Sequence, residues 1–213
     1  MNGAAPPEAL RRLLERHRAP KPAAGERCEM CGEQLTGGHR HVAHLDARSL
    51  MCACTGCYLL FTSGGAGQGR YRAVPDRYRY QPEFRLTDEQ WTRIGIPVRV
   101  AFCYHNSTLD SVVAFYPSPA GATEADLPSD TWDEVLRANP EVSDLASDVE
   151  ALLLSYRAGG PTECFLVPID ACYELVGRIR TQWKGFDGGT EVWESIDGFF
   201  DRLRERSARS WSS

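Results

Sequence analysis

The chain has 213 residues, of which 42% are hydrophobic, 25% charged and 10% aromatic. That composition excludes a disordered or collagen-like protein and suits one large domain or two small ones. The net charge of -5 hides an asymmetry: residues 1–80 carry 12 basic against 7 acidic residues, and residues 81–213 carry 12 against 22. Nets of +5 and -10 suggest two modules with a boundary near Pro82, where "GGAGQG" and "VPDRYRYQPE" supply chain breakers.

No apolar run approaches the roughly 20 residues that span a bilayer. The N-terminus carries arginines where a signal peptide needs its apolar stretch, so a cytoplasmic protein is expected. Residues 1–24 read as a helix and linker. Leu10, Leu13, Leu14 and His17 share one helical face, and "APKPAAG" follows.

Residues 25–80 read as a zinc-binding module. "CEMCGEQLTGGHRHVAHLDARSLMCACTGC" holds five of the eight cysteines and three of the five histidines. In a reducing compartment such clusters bind metal or do redox chemistry more often than they form structural disulfides. Cys28/Cys31 and Cys54/Cys57 are two C-x2-C pairs separated by 22 residues. Each pair lets two thiolates converge on one ion, and two pairs close a tetrahedron. Gly32 suits the tight turn that aims amides at the sulfurs.

Between the pairs, "RHVAHLDARSLMCA" predicts a hairpin with "DARS" as its turn. "CTGCYLLFTS" then predicts a short helix that carries Cys57 and stops at Gly64 and Gly65. Knuckle, hairpin and ligand-bearing helix, in that order, resemble a treble-clef or zinc-ribbon module. Iron is the alternative cofactor, but "CTGCY" lacks the glycine and proline of the rubredoxin pattern.

Cys52 has three readings: a buried strand thiol, which is favoured; a ligand in place of Cys54; or a redox partner. His39, His41 and His44 are alternate ligands or a second metal site. On a strand His39 and His41 share a side while His44 faces away, so polar hairpin residues are the preferred reading.

"GRYRAVPDRYRY" interleaves Arg70, Arg72, Arg77 and Arg79 with Tyr71, Tyr78 and Tyr80. Such a stripe could hold nucleic acid, with arginines on phosphates and rings on bases. The acidic second half opposes that, and an arm that joins the modules or meets a protein partner is preferred.

Residues 81–213 read as an α+β domain whose small sheet, a hairpin plus one strand, is covered by helices. "PVRVAFCYH" and "SVVAFYPS" give the hairpin, and "ECFLVPI" the third strand. "TWDE" is taken as a capping box. Leu145, Val149, Leu152, Leu153 and Tyr156 predict a helix ended by Gly159 and Gly160. Asp170 caps a further helix with Cys172, Leu175, Val176, Ile179 and Trp183 on one face. Thr190 caps the last, with Val192, Trp193, Ile196, Phe199, Phe200 and Leu203 inward. Cys103, His105, Cys164, Cys172 and Asp170 are the candidate reactive groups. Cys103 and His105 point in parallel from one strand face, which suits packing better than a nucleophile and base, and no enzyme signature emerges.

From "CEMCG" through "MCACTGCYLLF", "GRYRAVPDRYR", "RTQWKGFDGG" and "EVWESIDGFFDRL", the pattern resembles an uncharacterised actinobacterial family associated with gene clusters of nickel–iron hydrogenases. The resemblance covers most of residues 26–206. It implies an accessory role, with hydrogenase subunits or maturation factors as partners, and transfers no catalytic residue. The expectation is a non-enzymatic, zinc-stabilised accessory protein acting by protein contact. The alternatives are a rubredoxin-like iron electron carrier, a metallochaperone using Cys52 and the histidines for transfer, and a nucleic-acid-binding zinc protein.

Overall fold

The computed structural model describes residues 27–35, 37–63, 66–184 and 189–207. The helix expected at Pro7–His17, its linker and the stop expected at Gly64 and Gly65 lie outside them. The described residues form an α+β protein with two antiparallel sheets.

The first sheet has the order β2-β1-β3, from β1 (Arg40–His44), β2 (Ser49–Ala53) and β3 (Tyr71–Ala73). Alternation gives its hairpin two different faces. Val42 and Ala53 point into a small core with Cys28, while Ala43 and Leu50 pack into the main core. The short helix α1 (Thr55–Leu59) follows β2 directly.

The second sheet has six strands in the order β4-β9-β8-β5-β6-β7. They are β4 (Arg79–Gln81), β5 (Val100–Asn106), β6 (Ser111–Ser118), β7 (Gly121–Ala125), β8 (Glu150–Ser155) and β9 (Glu163–Pro168). The α+β class is therefore as expected, but the sheet is twice the size: β4, β7 and β8 join the hairpin and the third strand.

β8 replaces the helix expected around residues 145–156. Leu145, Val149, Leu152, Leu153 and Tyr156 match helical spacing, but so does any run that is apolar at nearly every position. "EALLLS" is such a run, buried from Glu150 to Leu154, and it pairs with both β5 and β9 at the centre of the sheet.

Alternation along the central strands divides the core into two layers. Phe102, Leu153, Phe165 and Val167 face α4 (Ile169–Gln182) and α5 (Gly189–Arg206). Ala101, Cys103, Leu152, Leu154 and Leu166 face α2 (Asp88–Ile94) and α3 (Ser129–Ala138), through Trp91, Trp132 and Val135. The sheet is thus a filling between two helical layers.

Three helix starts differ from expectation. α3 begins at Ser129, so Thr131 lies buried within its first turn and "TWDE" is not a capping box. Asp170 sits in the first turn of α4, whose cap position is Pro168, and Thr190 lies inside α5. The reciprocal cap occurs on α2 instead. Gln90 N–H donates to Thr87 Oγ1 at 3.1 Å, and Thr87 N–H donates to Gln90 Oε1 at 3.0 Å.

The arginine arm ties the sheets together. Arg77 donates from Nε and Nη2 to both oxygens of Glu150, at 2.7 and 2.5 Å, and from Nη1 to Asp144 at 2.9 Å. Arg72 donates to the Ser147 carbonyl at 2.7 Å and to Asp148 at 3.2 Å. The tyrosines turn inward as well: Tyr80 packs on Phe165, and Arg206 lies over Tyr78, 3.9 Å from its ring centre. Arg70 is exposed.

Candidate metal centre

The sulfurs of Cys28, Cys31, Cys54 and Cys57 lie within 4.8 Å of one another. The first knuckle is closed by backbone bonds around the C-x2-C-G turn: Gly32 N–H donates to the Cys28 carbonyl at 2.8 Å, and Cys28 N–H to the Glu33 carbonyl at 2.7 Å. Gly32 has φ of +79°, which a residue with a side chain adopts only with strain. The second knuckle is the start of α1. Cys54 is its N-cap, and Cys57 N–H lies 3.5 Å from Cys54 Sγ. The second knuckle thus aims an N–H at sulfur, and in the first the amides of Met30 and Cys31 reach the Cys28 sulfur.

The spacing suits a tetrahedral ion. With metal–sulfur bonds of about 2.3 Å, the tetrahedral edge is about 3.8 Å. Cys31 Sγ and Cys54 Sγ are 3.7 Å apart. Electrostatics favour the same outcome. Burial pushes the Cys28 thiol up, but the amides of Cys54, Cys31 and Met30 outweigh it and bring the thiol down to about 6. Cys57 is pushed up to about 12, because its thiol is shared with Cys31 and because it is desolvated. Four sulfurs this close cannot all ionise beside one another without a cation, and a bound divalent ion removes that conflict. The four cysteines could therefore hold a metal ion.

Cys52, His39 and His41 do not join this cluster. They converge in a second one, with donor atoms within 4.8 Å of one another. The hairpin explains why: His41 stands opposite Cys52 in the β1–β2 ladder, and His39 is two residues before His41 on the same side. His44 is elsewhere, its ring stacked on Tyr71 at 4.7 Å.

Asp170 and Glu29 act on this second cluster in ways that sequence reasoning missed. Asp170 Oδ2 is 2.7 Å from His41 Nδ1. Cys52 N–H donates to Glu29 Oε2 at 2.5 Å, and Glu29 N–H donates back to the Cys52 carbonyl at 2.9 Å. A carboxylate directly after the first cysteine was the available signal for Glu29. Asp170 is 129 residues from its histidine in sequence, and no local pattern connects them.

The remaining candidates are dispersed. Cys103, Cys164 and Cys172 are buried, and burial raises all three thiols well above the ordinary value. Cys103 faces the α2–α3 layer, and His105 contacts Ser147 at 3.0 Å.

A four-cysteine knuckle mounted on a hairpin, beside a sheet between two helical layers, defines a candidate metal-binding α+β protein. The chain belongs to the family of unknown function DUF5947, whose model matches residues 27–207. Searches of curated proteins and of solved structures gave no match. Among the described residues no helix is long and apolar enough to cross a membrane.

Proposed function

We propose that the protein is a zinc-stabilised, non-enzymatic accessory protein that works by contact with another protein, in the service of a nickel–iron hydrogenase. The observation that carries the zinc assignment is the convergence of four cysteine sulfurs from two knuckles, with one edge at 3.7 Å. Four thiolates, with no other donor among the described residues, make a closed set, the arrangement of structural zinc, which adds to folding stability when bound. The hairpin core beneath it is small, with Cys28, Val42 and Ala53 as its buried members, so the ion supplies much of what orders the knuckles.

Contact is supported by Leu59 and Leu60, which stand 59% and 64% exposed at the end of α1 beside the metal site. An apolar pair on a rigid knuckle suits a protein surface as its counterpart. The acidic half supplies charge for steering such an encounter. The hydrogenase assignment rests on the resemblance carried by the knuckle, arm and C-terminal helix motifs.

The test is affinity purification of the tagged full chain from cells that express a nickel–iron hydrogenase, with metal analysis of the eluate. Zinc near one equivalent or above, with hydrogenase subunits co-purifying, supports the reading. Leu59→Ser/Leu60→Ser should keep the metal and lose the subunits. Iron with visible absorption assigns the electron-carrier role instead, and retention on nucleic acid that weakens on reversing the exposed Arg70, with circular dichroism unchanged, assigns the nucleic-acid role.

A further inference from the structure

We propose that His39, His41 and Cys52 form a second metal site that takes a divalent first-row transition ion of the zinc class and leaves one coordination position open. The three donor atoms lie within 4.8 Å of one another and are contributed by one face of a single hairpin. Two imidazoles and one thiolate are the donors of borderline ions such as zinc, and three protein ligands with a free fourth position distinguish exchangeable or reactive sites from closed structural ones.

Two further observations support the assignment. His41 Nδ1 is held by Asp170 at 2.7 Å, which fixes the ring and leaves Nε2 as the ligand atom. A histidine ligand tied through its other nitrogen to a carboxylate is the usual support of a metal site. His39 Nε2 is buried and meets no hydrogen-bond partner among the described residues. A buried ring nitrogen without a partner is costly, and an ion beside it satisfies it.

A cleft beside the three residues gives the open position a route to a ligand. All three donors line a cleft of about 700 Å³ between the hairpin and α4, whose other walls include Asp76, Tyr78, Glu174 and Arg206. That volume is in the range of small-molecule sites. The four-thiolate centre belongs to the opposite face of the same hairpin, with Val42 and Ala53. Glu29, next to Cys28, holds the backbone of Cys52, so the first knuckle braces the second site without lending it a ligand.

The inference does not rest on the hydrogenase assignment or on the role of the four-thiolate ion. It is tested by titrating the metal-stripped full chain with Co²⁺ under reducing conditions, following the thiolate charge-transfer and visible bands. The wild type should take two equivalents, one with the spectrum of four thiolates and one with that of a single thiolate. His39→Ala and Cys52→Ser should each take one, keeping the four-thiolate spectrum and the wild-type circular dichroism. Asp170→Asn, which alters positioning only, should weaken the second equivalent by about 10- to 100-fold. A wild type that shows the four-thiolate spectrum and no single-thiolate one overturns the proposal without reference to any variant, and so does a single-thiolate equivalent that survives both His39→Ala and Cys52→Ser.

Discussion

Arg77 grips Glu150 through two parallel bonds of 2.7 and 2.5 Å, although the two residues are 73 positions apart and the Glu150 side chain is only 1% exposed. The pair joins the basic arm to the central strand of the main sheet. Glu150 also accepts from the amide of Ala146 at 2.9 Å, so its carboxylate is satisfied in place. Removal of one partner from a buried pair strands the other charge, which costs more than the pair contributes as a whole.

Arg77→Met should therefore destabilise the protein by about 3 kcal/mol in urea denaturation. Asp144→Ala removes the outer partner of the same arginine, which is 75% exposed, and should change stability by less than about 1 kcal/mol. Equal effects of the two variants would show that burial of Glu150 does not set the cost.

The core predicts a sharper loss at β8. Leu153 is fully buried between β5, β9 and the α4–α5 layer. Leu153→Ala should cost about 2 to 5 kcal/mol in the same assay. Thr87→Ala, which removes the reciprocal cap on α2, should cost about 1 kcal/mol.

Stability at high pH should fall through the tyrosines. Burial pushes the Tyr104 hydroxyl up to about 12, and burial does the same to Tyr78. The unfolded chain ionises these groups near pH 10. Because the folded values are higher, the stabilisation is fully present below pH 10 and is lost as pH rises to about 12. Urea midpoints measured from pH 9 to 12 should decline over that window, with phenolate absorbance rising on unfolding. A Tyr104→Phe variant should lose less over the same range.

The knuckles and the six-stranded sheet should respond differently to loss of the thiolates. Cys28→Ser/Cys54→Ser should remove the four-thiolate ion and disorder the knuckles. The six-stranded sheet keeps its two helical layers, so residues 90–206 should retain their amide exchange protection. Unchanged metal content and unchanged circular dichroism would contradict this.

How much of this was legible in the sequence varied with the range of the interaction. The four-cysteine cluster was, because C-x2-C turns are local and their chemistry admits few geometries. β5, β6 and β9 were also legible, from alternation or a short apolar run next to turn residues. β8 was not, since "ALLL" satisfies a helical and a doubly buried strand pattern equally, and only its pairing with β5 and β9 decides between them.

The second cluster shows how small an error suffices. A turn at Asp46–Ser49 would place Cys52 opposite Ala43. The turn lies one residue earlier, with Arg48 at φ of +49°, and places Cys52 opposite His41. Asp170 and Glu150 gained their roles from partners more than 70 positions away, which no window of sequence contains.

The order of the two knuckles depends most on a single divalent ion held by Cys28, Cys31, Cys54 and Cys57. X-ray absorption at the metal edge tests this directly, on natively expressed protein treated with a mild chelator to strip exchangeable metal. The account predicts one retained zinc with four sulfur neighbours at about 2.3 Å. A shell of nitrogen and oxygen, or no retained metal with these cysteines paired as disulfides, would contradict it.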